Sequence, residues 1–205
     1  MLSQKEKKNT TNDRQKKPEI GTEIKLEYLE RLVNTMIFIG IGSNLKSSFG
    51  NRFKNIDLAI TYLENQNLKI SKKSSYYETP SYPNKNNPKF INIIVKIDSD
   101  ITFEDFIFKT IDIEEKLERK RNIQNDPRTC DIDVIDFNKK VFKKSFKNLE
   151  FQIPHKSMKF RNFVLYPLKE IDPYWKHPET KEDINSLIEK LPLNDKKSIL
   201  KLQKA

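Results

Sequence analysis

The chain predicts an α+β sandwich, and three observations carry the prediction. Its elements run strand, helix, strand, strand, helix, strand. The two strongest strand segments, residues 37–41 and 90–97, are nearly continuous apolar runs. Both helical segments place their apolar residues on one face. That order folds as a mostly antiparallel sheet with helices packed on one of its faces, the ferredoxin-like arrangement.

Each element follows from its local pattern. Residues 1–22 are Lys, Asn, Gln and Thr with almost no apolar content, and read as a disordered tail. Leu26, Leu29 and Val33 recur at helical spacing, predicting a short amphipathic helix over 23–34. The globular domain is expected to begin at Met36, a position that also fits a start residue and would make the preceding extension dispensable. Gly42-Ser43-Asn44 is read as the turn closing the first strand. A helix follows over 51–65, with Ile56, Ala59, Ile60 and Leu63 inward. Residues 68–77 read as a strand, and three prolines make 79–88 a loop. After the 90–97 strand, Thr102 opens a helix over 101–117. A polar segment, 118–126, leads to a strand over 130–137. A hairpin is expected around Asn138-Lys139, then a strand near 149–153 and a last helix at 182–191. The expected division is an extension to residue 35, a domain over 36–192 and a tail over 193–205.

Composition narrows the function. A net charge of +10 on 205 residues favours polyanionic partners such as nucleotides, nucleic acids or anionic membranes, and equally describes a Lys- and Asn-rich solvated surface. Cys130 is the single cysteine, which excludes an intrachain disulfide and fits a reducing compartment. It reads as a small apolar strand residue rather than a thiol nucleophile. No apolar run approaches the roughly 20 residues that span a bilayer, and no early apolar stretch marks a signal peptide. A cytoplasmic location is the expectation. Gly40-Ile41-Gly42 lacks the third glycine of a dinucleotide loop, and no Walker-type phosphate loop is present.

Asp131 and Asp133 are the sharpest local signal. Two apart on a strand, they share a face with Cα atoms roughly 6.5 Å apart. Paired carboxylates repel unless a cation joins them, and magnesium takes one or two carboxylates plus phosphates and water. A solvated edge strand is the competing reading. Asp136 is expected on the opposite face. Arg119, Arg121 and Arg128 lie upstream, and His155, Lys156, Lys159 and Arg161 downstream. An acidic pair bracketed by arginines is what phosphoryl transfer requires, although each basic residue alone also fits a surface charge. Tyr76, Tyr77, Phe90 and Asn92 flank the Pro-rich loop. They suit a flat heterocycle or, alternatively, an ordinary aromatic core. Asn92 needs partners inside its apolar strand.

These residues resemble the 6-hydroxymethyl-7,8-dihydropterin pyrophosphokinases over about 36–192. The resemblance rests on Gly42-Ser43-Asn44-Leu45, on Ser74-Ser75-Tyr76-Tyr77-Glu78-Thr79-Pro80 and on Phe90-Ile91-Asn92. Glu114, Arg119, Arg121, the Pro127–Asp133 string and the Pro154–Leu168 block complete it. It implies a ferredoxin-like enzyme of folate biosynthesis that uses ATP as co-substrate and releases AMP and the pterin diphosphate. Two magnesium ions would sit on Asp131 and Asp133. Arg119, Arg121 and Arg128 would act on the transferred group, with His155 and Arg161 on the triphosphate and Glu114 and Gln152 near the nucleotide. Thr79, Pro80, Tyr82, Asn92 and Phe163 would line the pterin site. The implied partners are ATP and the reduced pterin, with no nucleic acid or membrane, and the chain a monomer or at most a weak dimer.

The chain departs from that family where Arg-Trp-Gly is usual, carrying Gln124-Asn125-Asp126 instead. This removes a phosphate-binding charge and an aromatic lid, and admits an inactive homologue as a rival. Glu150 and Lys156 also stand where relatives carry other types. An RNA-binding module is the other rival, but the Gly-Phe-rich signature of such sheets is missing.

Overall fold

The computed structural model describes residues 35–120, 126–147 and 149–203. The expected tail and helix over 1–34, and Arg121, Gln124 and Asn125, lie outside the described residues.

Strand β1 (Met36–Ser43) leads to helix α1 (Arg52–Asn65), β2 (Lys69–Lys73), β3 (Tyr77–Thr79), β4 (Phe90–Asp98) and α2 (Phe103–Lys116). Then come β5 (Asp131–Phe137), β6 (Phe142–Phe146), β7 (Leu149–Ile153), a 3₁₀ turn at Met158–Phe160 and α3 (Asn162–Ile171). Helices α4 (Ile184–Glu189) and α5 (Leu193–Ser198) precede a short β8 (Leu200–Lys201). Both long helices start where the sequence signals a cap. Asn51 accepts from the Lys54 N–H at 3.0 Å and Thr102 from the Asp105 N–H at 3.2 Å. Glu104 and Asp105 in the first turn of α2, and Lys116 in its last, complement the helix dipole.

The main sheet runs β5-β1-β4-β3-β8, with β2 also on β4, and its ladders among the described residues are antiparallel. This is the expected α+β sandwich with an antiparallel sheet. The expected strand over 68–77 is broken in two. At the break, Ser74 donates its N–H to the Ile94 carbonyl and accepts the Ile94 N–H on its hydroxyl, so the ladder on β4 continues.

Alternation along β1 and β4 separates two cores. Ile37, Ile39, Ile41, Ile91, Ile93, Val95 and Ile97 face α1 and α2. Phe38 and Ile94 face the other way, with Ile135, Val164, Leu165, Leu168, Trp175, Ile184 and Leu187. Helices therefore cover both faces, not one. The second layer was invisible in the sequence because Pro167 sits inside α3, where an interior proline argues against a helix. Likewise β6 pairs with β7, not across the Asn138-Lys139 turn, so the expected hairpin forms one strand later. Residues 193–203, expected as a tail, supply α5 and the edge strand β8.

Candidate active site

The second face of the sheet is only partly covered by α3 and α4, and its open end is built around glycines. Gly40 stands opposite Asp133 and Ile94, and Gly42 opposite Asp131 and Asn92. Asp131, Asp133 and Asn92 thus point to one side, from the two strands that flank β1. A Cβ on Gly42 would lie 2.9 Å from Asn92 Oδ1, so this position admits only glycine without displacing Asn92. Nothing in the local sequence around Gly42 announces this contact with Asn92.

Asp131 Oδ1 lies 2.6 Å from Arg119 Nη1, and its Oδ2 3.2 Å from Arg128 Nη1. Asp133 Oδ2 accepts from Arg161 Nη1 at 2.9 Å, and that Nη1 is 3.5 Å from His155 Nε2. The expected carboxylate pair and its described basic partners, Arg119, Arg128, His155 and Arg161, are therefore brought together. Burial alone would push the Asp131 carboxyl up, but Arg119, Arg128 and Arg161 together hold it below the usual carboxylate range. Burial lowers the His155 pKa, with Asp133 opposing and Arg161 reinforcing the shift. The desolvated Cys130 thiol is pushed well up, as befits an inert strand residue.

Glu114 is placed beneath this cluster and not on its open side. Only 2% exposed, its carboxylate pairs with Arg119 and accepts the Ile132 N–H at 2.7 Å. Strand β5 is the sheet edge, and Glu114 supplies the acceptor for an outward-facing strand amide. Asn44 does comparable work on the other side. Its Oδ1 accepts the Arg128 N–H at 2.6 Å, and its Nδ2 donates to the Pro88 carbonyl at 3.1 Å. A cleft of about 670 Å³ opens beside Arg128, lined by Leu45, Glu118, Lys120, Asp126, Pro127 and Thr129. A second cleft, of about 580 Å³ between Gln66 and Asp112, carries none of the site residues.

On the Asn92 side, the amide Nδ2 donates to Thr79 Oγ1 at 3.0 Å, and both residues are buried. Pro80 is half-buried and follows directly. Phe163, half-buried at the start of α3, has the Arg161 guanidinium 5.4 Å from its ring centre. Tyr82 is 81% exposed, and Gln152 is half-buried on β7.

Asp136 differs from expectation. The β1–β5 register shifts between Phe38 and Ile39, so a bulge turns Asp136 onto the same side as Asp131 and Asp133. It is 1% exposed, accepting from Trp175 Nε1 at 2.9 Å and from the Lys139 N–H at 2.9 Å. Burial, opposed by those hydrogen bonds, raises its pKa to about 6.

A model of the 7,8-dihydro-6-hydroxymethylpterin-pyrophosphokinase (HPPK) family matches residues 38–173. The chain belongs to this family. It is 30% identical over 142 residues to the 2-amino-4-hydroxy-6-hydroxymethyldihydropteridine pyrophosphokinase of Aquifex aeolicus, covering 69% of this chain and 83% of that one. It is 33% identical over 167 residues to the folic acid synthesis protein fol1 of Pneumocystis carinii, covering 82% of this chain but 22% of that protein. The chain thus spans about a fifth of the fungal protein and most of the bacterial pyrophosphokinase. The crystal structure of wild-type HPPK-DHPS from Plasmodium falciparum shares the fold at a TM-score of 0.59 and 16% identity, over 78% of this chain and 46% of that one. The pyrophosphokinase fold therefore places the Asp131–Asp133 pair at the open end of a sheet closed elsewhere by helices.

Proposed function

We propose that this pyrophosphokinase transfers the pyrophosphoryl group of magnesium-bound ATP to the hydroxymethyl oxygen of 6-hydroxymethyl-7,8-dihydropterin. The observation that carries the reading is the pair of carboxylates on one face of β5, each already held by an arginine.

Charge explains why a cation belongs there. Among the described residues, Arg119, Arg128 and Arg161 are already paired with Glu114, Asp131 and Asp133. A triphosphate entering beside those carboxylates meets like charge, which a divalent cation relieves. Asp131 and Asp133 offer hard oxygen donors, with side chains 21% and 33% exposed, and so fit magnesium. Among the described residues no group of three or more His, Cys, Asp and Glu side chains is poised for a metal, and phosphate oxygens of the nucleotide would supply further ligands beside Asp131 and Asp133. Two magnesium ions on Asp131 and Asp133 would neutralise the phosphates and lower the pKa of the attacking hydroxyl.

The chain's own groups do the rest. Arg119, Arg128 and Arg161 exchange carboxylate for phosphate oxygens, their forks matching both. Arg121 is assigned the same role from the family resemblance. His155 and Gln152 flank the nucleotide, and Glu114 keeps Arg119 aimed across the β5 edge. Asn92 reads the edge of the pterin with Thr79 fixing its amide. Phe163 gives a stacking face, and Pro80 and Tyr82 close the loop side. The pterin oxygen bonds to the β-phosphorus in line, the bond from that phosphorus to the α,β-bridging oxygen breaks, and AMP leaves. Positioning and charge stabilisation supply the rate, with the hydroxyl proton passing to solvent.

The reading takes the protein as a cytoplasmic monomer, or at most a weak dimer, needing neither nucleic acid nor membrane. Among the described residues no helix is long and apolar enough to cross a bilayer. Incubation with ATP, magnesium and the reduced pterin alcohol tests the proposal. AMP and the pterin diphosphate should accumulate in step, and formation of ADP, or of neither product, overturns it.

A further inference from the structure

The family match ends at residue 173, yet residues beyond it reach back to the site. We propose that residues 192–203 are a strap that positions the pterin half of the site, an inference that rests on the pyrophosphokinase reading above.

Three sets of contacts carry it. Strand β8 is the outermost strand on the edge away from Asp131, pairing Lys201 with Tyr77 and Leu200 with Glu78. The Leu202 N–H extends the ladder to the Tyr76 carbonyl at 2.9 Å. Strand β3 has only three residues, ends at Thr79, and enters the Pro-rich loop immediately. Without β8 it would be a short edge strand held on one side.

The second set lies at the start of α3. Asn162 is 7% exposed and sits between Arg161 and Phe163. Its Nδ2 donates to the Asp195 carbonyl at 2.6 Å and to Ser198 Oγ at 3.1 Å, both on α5. The third set joins the other two. Glu170, near the end of α3, accepts from the Ser75 N–H at 3.1 Å, Ser75 Oγ at 2.7 Å and the Tyr77 hydroxyl at 2.8 Å, and pairs with Lys201 Nζ at 3.2 Å. The strap thus fixes the strand that ends in Thr79 and the helix that begins at Asn162, next to Phe163. The carboxylate pair is on β5, at the opposite edge of the sheet.

This geometry separates pterin binding from nucleotide binding. In the full-length chain, Leu202→Pro removes the donor to Tyr76, and Asn162→Ala removes both bonds to α5. Each should raise the KM for the pterin about fivefold to tenfold, with kcat unchanged. Affinity for a non-hydrolysable ATP analogue with magnesium should match the unmodified chain. Lys201→Met, a surface change that breaks only the pair with Glu170, gives a milder rise in a variant that keeps the backbone ladder. A pterin KM that stays at the unmodified value in the folded variants overturns the strap. So does a parallel loss of nucleotide affinity, since that marks general loosening. If the unmodified chain forms no AMP, the pyrophosphokinase reading itself has failed, a result distinct from either.

Discussion

Gly42→Ala probes the floor of the site directly. The added Cβ would stand 2.9 Å from Asn92 Oδ1, whereas ordinary contact begins at 3.4 Å, so the amide must retreat by the difference, about 0.5 Å. It is not free to do so, because Asn92 Nδ2 is held by Thr79 Oγ1 at 3.0 Å in a buried setting. The retreat either forces an off-rotamer side chain, at about 0.5–1.5 kcal/mol, or gives up a hydrogen bond, at about 1 kcal/mol. Either route costs about 1 kcal/mol, roughly a fivefold loss in pterin affinity. The Cβ meets Asn92 and Phe90 first and neither carboxylate, so magnesium-nucleotide affinity should hold. Steady-state titration of the pterin at saturating MgATP, beside calorimetric titration of the ATP analogue, measures both. An unchanged pterin KM would show that Asn92 does not read the substrate. Equal weakening of both ligands would show that Gly42 matters to the sheet and not to one subsite.

Three further outcomes follow from the same geometry. Asp133→Ala should cut AMP formation at least about a hundredfold, the scale of losing one preorganised charge contact. Its thermal midpoint should stay close to that of the unmodified chain, because the side chain is 33% exposed; near-normal turnover would remove Asp133 from the metal site. Glu114→Gln keeps an acceptor for the Ile132 N–H but strips the charge facing Arg119, whose side chain is 11% exposed. Because Asp131 still faces Arg119, urea unfolding should report a loss of about 1.5–2 kcal/mol, the scale of one charged hydrogen bond, and an equal or higher midpoint would refute the role. Asp136 gives a pH signature. Its pKa rises from 3.8 to about 6 on folding, so the native state binds the extra proton between those values. Stability should therefore fall by about 2 kcal/mol as pH rises from 4 to 6, and level off by about pH 7. Asp136→Asn should flatten that slope in thermal melts, and a slope that persists would assign it elsewhere.

Much of this protein was legible before folding. Alternation and apolar runs marked β1, β4 and β5, because a strand buried on both faces has no polar side to show. Asn51 and Thr102 marked the helix starts, because their side chains satisfy amides that a helix leaves bare. Asp131 and Asp133 could be placed on one face from the two-residue period alone, and Arg119 and Arg128, near Asp131 in sequence, stayed near it in space.

What the sequence could not settle depends on contacts between distant segments. A one-residue bulge reverses the facing of Asp136, and nothing in residues 131–137 announces it, since it is fixed by register against β1. Helix α3 forms despite Pro167 because its buried face packs on the sheet, and packing outweighs local propensity. Glu114 reads as a polar helix residue until α2 docks beside β5, where its carboxylate meets Arg119 and an edge amide. Gly42 earns its place only when β4 brings Asn92 against it. The last strand, two residues long, carries too little pattern to be found by periodicity, and exists because β3 offers it an open edge. Local chemistry thus named the reacting groups, while the long-range strand register decided which of them share a face.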